Sequence, residues 1–552
     1  MKKPLSFTLA LLFVAIISPV SGFSQISEKS LPPTVEKQIV NNNYPVLRVN
    51  PPEVDRLLRE DAFTDKYGIA MRFAESTPVD IEFPESGTWM ELPDGSRICR
   101  LAISSKGAQA LILYYNEFYI PEGGKLYLYD PEKRQIAGAF TSFNNRNRGT
   151  FATQMIHGET TIMEYHQPSG SSPEPEITIN EVSHVYRTAE RIFGTKGFGS
   201  SDTCEVNVRC AEGNDWENQI NGIARIIVKQ GSSSLWCTGS LVNNTRQDHT
   251  PYFLTADHCG PNASVEDYDS WIFYFKYQGD ECGNPDNDTA FNFYTMVGAS
   301  KMAAAGGPGV ESDFKLLLLN ESVPLDYDPY FNGWSKIDEP SETGVTIHHP
   351  QGDIKKISTY TQTLISTNWG SVPNTHWRVV WSETETNWGV TEGGSSGSPI
   401  FNSGGLIIGQ LTGGDASCSN LTGPDYYGKF SHSWDQIGNS DTTQLKPWLD
   451  PDNTGVETII GLVNVEDRQK KHFDVDLYPN PTNGKIRIDP GQIKFNNGSL
   501  IEISDMTGRK VLEMKPASGQ IIEMDLSGLE NGIYFVRIII DAQNILTKKL
   551  IK

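Results

Sequence analysis

The sequence predicts an all-β protein made of several units, and three observations carry that prediction. Apolar residues fall in short runs, at 222–228, 271–275, 378–381 and 406–411, each of strand length and too short for a helix. Turn-forming Gly, Asn, Asp and Pro separate these runs, and the 50 Gly and 32 Pro let the chain reverse direction often. The third observation is length, since 552 residues exceed what one hydrophobic core organises. The expected plan is two antiparallel barrels over 197–463, with a β-sandwich ahead of them over 25–196. A smaller sandwich follows over 472–552, joined by a charged linker at 464–471.

Residues 1–24 form the expected signal peptide. Lys2 and Lys3 supply a charged start, Leu9 to Ile17 an apolar run too short to span a bilayer, and Ser21, Gly22 and Ser24 small cleavage points. No other stretch approaches the roughly 18 apolar residues that a membrane helix needs. The protein is therefore expected to be exported. Forty-six basic residues against 68 acidic ones leave a net charge of −22. That balance argues against nucleic acid or an anionic membrane as a partner.

Export permits disulfides. Six of the seven cysteines (204, 210, 237, 259, 282 and 418) lie within 197–463, and Cys99 lies alone outside. Six cysteines allow fifteen connectivities, so counting leaves the pairing open. No C-x-x-C pair occurs, which speaks against a metal site, and no cofactor is expected.

Within 25–196, residues 53–66 read as an amphipathic helix. Strands are expected at 101–103, 110–115, 125–129 and 160–165, separated by turns such as Pro121 to Gly124. Residues 169–176 read as a linker. No constellation of catalytic type occurs in this part of the chain.

The chemistry concentrates in Thr391-Glu392-Gly393-Gly394-Ser395-Ser396-Gly397-Ser398-Pro399-Ile400. Small residues keep the backbone open around one hydroxyl. Gly394 and Ser396 can turn their N–H groups toward a common point, as an oxyanion hole requires. A serine hydroxyl needs a base before it becomes a nucleophile. His258, in Thr255-Ala256-Asp257-His258-Cys259, is the candidate base, and Asp313, at the mouth of the apolar run 314–319, is the candidate acid. Asp257 is a rival, but neighbours on a strand point apart, which favours Asp313. Ser396 is preferred over Ser395 because only it is framed as G-x-S-G-x-P. His348 and His349 point oppositely on an extended strand and are not read as metal ligands. Trp377 and Trp381 are read as core.

Six motifs run in one order between Cys204 and Leu462: CTGSLVNNT (237–245), YFLTADHCG (252–260), SDFKLLLLN (312–320), IHHP (347–350), VTEGGSSGSPI (390–400) and GQLTGG (409–414). In these the region resembles the lysyl endopeptidases, secreted serine proteases of the chymotrypsin class. The resemblance implies a chymotrypsin-like double barrel that hydrolyses peptide bonds after Lys, or Arg, through an acyl-enzyme. It makes His258 the base, Asp313 its orienting acid and Ser396 the nucleophile, with Gly394 and Ser396 as the oxyanion hole. It implies the disulfides Cys204–Cys418, Cys210–Cys282 and Cys237–Cys259. The last closes a loop of about 22 residues beside His258, worth roughly 3 kcal/mol in the chain-entropy model.

The same resemblance sets Asp425 at the base of the pocket for a substrate ammonium. It sets Gly413 and Gly414 on an edge strand to which substrate adds. It departs at one point, because the family sets a His against a Trp beside the site; here Trp369 is kept, but Thr412 stands at the matching position. Residues 445–449 are expected to start the closing helix of this class. Residues 25–196 look like the family's propeptide, and Lys196–Gly197, in a Gly-rich stretch before Cys204, is the expected self-cleavage bond.

Residues 464–552 carry YPNP at 478–481 and GIYFVR at 532–537, and look like a type IX secretion C-terminal sorting domain. That implies passage through the periplasm, the type IX machinery as partner, and a secreted or cell-surface product. A mature monomer acting on protein and peptide substrates is the expectation. Two alternatives stand beside it. A glutamyl-specific endopeptidase would need His or Ser in place of the pocket acid. An adhesin on an inactive protease scaffold would be expected to have lost a triad member.

Overall fold

The computed structural model describes residues 30–552 apart from 40–42, 66–69, 146–148, 171–172, 188–200, 286–291, 307–309, 464–475, 481, 490–498, 506–508, 517–521, 531 and 540–544. The signal peptide, the Lys196–Gly197 bond and the 464–471 linker therefore lie outside the described residues. Strands dominate, and the chain divides into two compact units after Val463.

Near the start of the first unit, Val54–Thr64 is the amphipathic helix that the sequence pattern predicts. Arg97–Ser105, Lys125–Tyr129 and Thr160–Gln167 belong to one six-stranded sheet. A second sheet contains β1 (Met71–Phe83), β2 (Ala110–Tyr119) and β3 (Glu176–Val185), in the spatial order β1-β3-β2. Leu101, Leu126 and Met163 of the first sheet share one core with Ile112, Phe118 and Ile177 of the second. Two sheets around one apolar layer is sandwich packing.

The next seven strands are β4 (Ile223–Gln230), β5 (Ser233–Leu241), β6 (Tyr252–Ala256), β7 (Ile272–Phe275), β8 (Tyr294–Val297), β9 (Ala299–Ala304) and β10 (Phe314–Leu319). They pair in the order β8-β7-β4-β5-β6-β10-β9. Only Gly298 separates β8 from β9, so the two ends of this path are consecutive in the chain. Covered on both faces, β4 and β10 read as nearly continuous apolar runs.

A second curved layer holds β11 (Gly344–His348), β12 (Lys356–Tyr360), β13 (His376–Val380), β14 (Pro399–Asn402), β15 (Ile407–Gly414) and β16 (Pro424–Lys429). Their order is β12-β11-β14-β15-β16-β13. A helix the sequence did not reveal, Phe430–Asp435, follows β16 at once. The expected closing helix is a single turn, Lys446–Leu449.

One pairing crosses from the N-terminal sandwich into the region of the motifs. β1 adds to β5, with Glu75 opposite Ser233 and Met71 opposite Trp236. Phe73 stacks on Trp236 with ring centroids 3.9 Å apart. The sheet of the N-terminal sandwich is therefore continuous with that of β4 to β10.

The second unit is a small sandwich of its own. A three-stranded sheet (Asp476–Tyr478, Lys485–Asp489, Ile522–Asp525) and a four-stranded one (Leu500–Asp505, Lys510–Met514, Ile533–Ile539, Ile545–Ile551) enclose one core. Ile486, Ile488, Ile501, Val536 and Leu550 are among its members.

Candidate active site

The loop between β13 and β14 carries Gly394 and Ser396, and almost every polar group around them is tied down. The Gln351 N–H donates to Gly393 O over 2.6 Å, and Thr238 Oγ1 donates to Gly394 O over 2.9 Å. The Thr238 N–H donates to Ser396 O over 2.8 Å, and the Gly397 N–H to Leu411 O over 2.9 Å. Among the described residues, no hydrogen bond uses the N–H of Gly394 or of Ser396.

Glycine is needed at two places in this loop. At Gly394, φ is +97° and a Cβ would lie 2.9 Å from His349 O. At Gly397, φ is +81° and a Cβ would fall 2.2 Å from Thr255 Oγ1 and 2.6 Å from Ala256 N. Only a bare Cα lets the loop rest on the end of β6. His258 lies two residues beyond that end.

Asp313 grips His258 twice. Its Oδ1 accepts the His258 backbone N–H over 2.9 Å, and its Oδ2 lies 2.6 Å from the ring Nδ1. Asp313 is fully buried and holds φ at +58°, a left-handed conformation sustained by these bonds and by its own carbonyl, which accepts the Asp257 N–H. The other ring nitrogen, Nε2, is buried without a hydrogen-bond partner among the described residues. The rival Asp257 turns its carboxylate toward Lys315, with Oδ1 3.6 Å from Nζ.

Lys315 organises the backbone of this turn. Its ammonium is buried in β10 and donates to three carbonyls, Asp257 O at 3.0 Å, Cys259 O at 2.8 Å and Gly260 O at 2.9 Å. Burial pulls its pKa down to about 8, while Asp257 pulls the other way. Cys259 is further held by the disulfide to Cys237, which is the residue before Thr238. The other two disulfides join Cys204 to Cys418 and Cys210 to Cys282, while Cys99 is free and buried.

A cavity of about 330 Å³ opens beside Ser396. Thr391, Thr412, Gly413, Gly414, Ala416 and Ser417 line it on one side, and Asp65, Met71 and Arg187 reach it from the N-terminal region. Asp425, on β16, is 1% exposed and lies behind this wall. Its Oδ2 accepts from Trp381 Nε1 over 2.6 Å and from Thr391 Oγ1 over 2.7 Å, and Oδ1 from the Ala416 N–H over 3.3 Å. Burial pushes its pKa up to about 6. Trp377 and Trp381 are both buried, and Trp381 has this polar task besides packing.

Trp369 packs on Tyr426, ring centroids 4.7 Å apart, and lies 6.3 Å from His376. His376 Nε2 is 2.9 Å from Thr412 Oγ1. A histidine does stand near Trp369, then, but β13 supplies it, with Thr412 as its hydrogen-bond partner. His348 and His349 turn to different partners: His348 Nδ1 lies 2.8 Å from Ser395 Oγ, and His349 Nδ1 lies 2.9 Å from Asp353 O. Sequence reasoning missed Thr238, His376 and Lys315. Thr238 and Lys315 stand within the motifs at 237–245 and 312–320, and Lys315 is a lone charge in the run 314–319, but their roles depend on partners far along the chain.

Comparison with known proteins follows the same divisions. Residues 198–428 match the family model of the lysyl endopeptidase C-terminal domain, and residues 69–186 that of the lysyl endopeptidase N-terminal domain. Residues 476–552 match a secretion system C-terminal sorting domain, which marks the chain for type IX export to the cell surface or beyond. No helix among the described residues is long and apolar enough to cross a membrane. A lysyl endopeptidase of Pseudomonas aeruginosa is 26% identical over 374 residues, covering 63% of this chain and 76% of that protein. Among solved structures, neuropsin, a serine protease of mouse brain, is similar at 14% identity and a TM-score of 0.29, over 42% of this chain and 97% of that one. The HtrA-type protease AlgW is similar at 13% identity and a TM-score of 0.27, over 40% and 60%.

Proposed function

We propose that this serine endopeptidase, built from the N- and C-terminal domains of the lysyl endopeptidase family, cleaves peptide bonds after lysine through His258, Asp313 and Ser396. The double grip of Asp313 on His258 is the observation that carries the reading. One carboxylate oxygen fixes the backbone and the other fixes the ring, so Nδ1 keeps its proton and Nε2 is the acceptor.

In the first step Nε2 takes the Ser396 hydroxyl proton while Oγ attacks the scissile carbonyl carbon. The oxyanion that forms is bound by the N–H groups of Gly394 and Ser396, neither of which is used in a hydrogen bond among the described residues. The tetrahedral intermediate collapses, the C–N bond breaks, and the leaving amine receives the proton from Nε2. Water then attacks the acyl-enzyme by the same route and returns Ser396 to its starting state. Asp313 stays ionised throughout and stabilises the imidazolium.

Lysine preference is assigned to Asp425, a carboxylate just behind the cavity wall formed by Thr391 and Ala416. Residues 25–196 are read as a propeptide, removed by cleavage after Lys196. The placement of Asp65, Met71 and Arg187 in the cavity beside Ser396 supports that reading, because substrate and the N-terminal region compete for one space. Mass spectrometry of peptides from a denatured test protein tests the function. New C-termini should be Lys, and Ser396→Ala should produce none. Cleavage after Glu or after apolar residues would refute the specificity.

A further inference from the structure

We propose that His348 is the positioning residue of the oxyanion loop, holding Ser395 and, through it, the N–H groups of Gly394 and Ser396 in place. This deepens the reading of Ser396 as nucleophile and rests on it.

The hydrogen bonds around His348 run in one direction. Ser358 Oγ donates to Val390 O over 2.8 Å, so toward His348 Nε2, 3.0 Å away, it acts as acceptor. Nε2 therefore carries the ring proton, and Nδ1 is the acceptor. Ser395 Oγ, 2.8 Å from Nδ1, is the donor there. The same Ser395 oxygen accepts the Glu392 N–H over 3.2 Å. A single neutral imidazole on β11 thus ties Ser395 directly, and Val390 through Ser358 of β12, to the sheet beneath the loop.

The surroundings keep that imidazole neutral. His348 is fully buried, and burial, with Lys356 adding to it, pulls its pKa down to about 3. The Glu205 carboxylate, 3.8 Å from Nε2, is beyond hydrogen-bond reach. Ser395 is uncharged, so it offers no counter-ion to an amino terminus freed by cleavage. The tether is already complete in a chain that still carries its N-terminal region. Loop order and removal of that region are separate events.

The test uses full-length chains processed in trans by a trace of wild-type enzyme and assayed on a small lysyl ester, with Ser396→Ala treated alike as background. His348→Asn keeps an acceptor near the Nδ1 position. His348→Gln keeps a donor toward Ser358 but loses the bond to Ser395. The expected result for His348→Gln is a kcat about 100-fold lower at nearly unchanged KM, the signature of a misplaced catalytic group. His348→Asn should recover most of that loss, which a purely structural role would not produce. Ser395→Ala should match His348→Gln, and the double variant should be no slower than either, because both remove one bond.

Wild-type kcat in His348→Gln, or additive losses in the double variant, overturns the tether and leaves the Ser396 assignment standing. Turnover in Ser396→Ala above that of the added wild-type trace alone overturns the underlying reading instead. If a lowered Tm shows that His348→Gln fails to fold, Ser395→Ala decides alone: wild-type kcat there overturns the proposal.

Discussion

Trp381 donates its indole N–H to Asp425 Oδ2 over 2.6 Å, and Thr391, which lines the cavity beside Ser396, donates to the same oxygen. The carboxylate is thus held rigidly one side chain behind the cavity. Asp425→Asn should keep turnover of small neutral esters and lose most cleavage after Lys. Stranding a desolvated ammonium costs on the order of 3–5 kcal/mol, several hundredfold or more in kcat/KM. A variant that retains its lysine preference would assign the pocket charge to another acid.

The same group predicts a pH signature. Burial raises the Asp425 pKa from 3.8 to about 6, against the opposing hydrogen bonds of Trp381 and Thr391. Between about pH 4 and 6 the native state binds a proton that the unfolded chain does not, so this group's contribution to stability falls as pH rises through that window. Recognition runs the other way, because a lysyl ammonium requires the ionised form. The ratio of kcat/KM for lysyl and neutral esters should therefore drop as pH falls below about 6, and in Asp425→Asn that drop should vanish.

Lys315→Met tests the turn that carries His258. Methionine fills the space but leaves the carbonyls of Asp257 and Cys259 without their donor, while Gly260 O keeps the Ala263 N–H at 3.2 Å. Each buried, unpaired acceptor costs about 1–3 kcal/mol, so a loss of at least about 2 kcal/mol is expected as a lower denaturant midpoint at unchanged m. An unchanged midpoint would mean that water replaces the ammonium.

The elements that bear on chemistry were the ones most legible in the sequence. His258, Asp313 and Ser396 sit in motifs whose residue types announce a proton relay, and β4 and β10 announce themselves as buried apolar runs. Thr238 and His348 did not, because anchoring a loop across a sheet leaves no local pattern of period or spacing. The β1–β5 pairing escaped for a similar reason, since either strand alone reads as an ordinary member of its own sheet. Asp257 and Asp313 are equally acidic in sequence, and strand alternation does not separate them, because Asp257 and His258 lie in the turn past the end of β6; Asp313 bonds His258, while the Asp257 carboxylate faces Lys315.

Maturation gives a fourth prediction. Cleavage between Lys196 and Gly197 should yield an N-terminus reading Gly-Phe-Gly-Ser-Ser-Asp. Lys196→Gln should slow processing of an otherwise active enzyme, and Ser396→Ala, purified free of other proteases, should remain uncut at this bond. Terminal sequencing of each product checks this. Normal processing of isolated Ser396→Ala would exclude self-cleavage.

The strand that β1 lends to β5 has a consequence for enzyme freshly cut. If the proposed cleavage lets the N-terminal region depart, Ser233 to Trp236 lose their partner on that side and Trp236 loses the face of Phe73. An open edge bearing an aromatic ring readily accepts another strand. The best-fitting strand available at that moment is the one just released, present at one copy per enzyme. Newly matured protease should therefore be damped by its own cleavage product, with full activity following the fragment's destruction rather than its detachment.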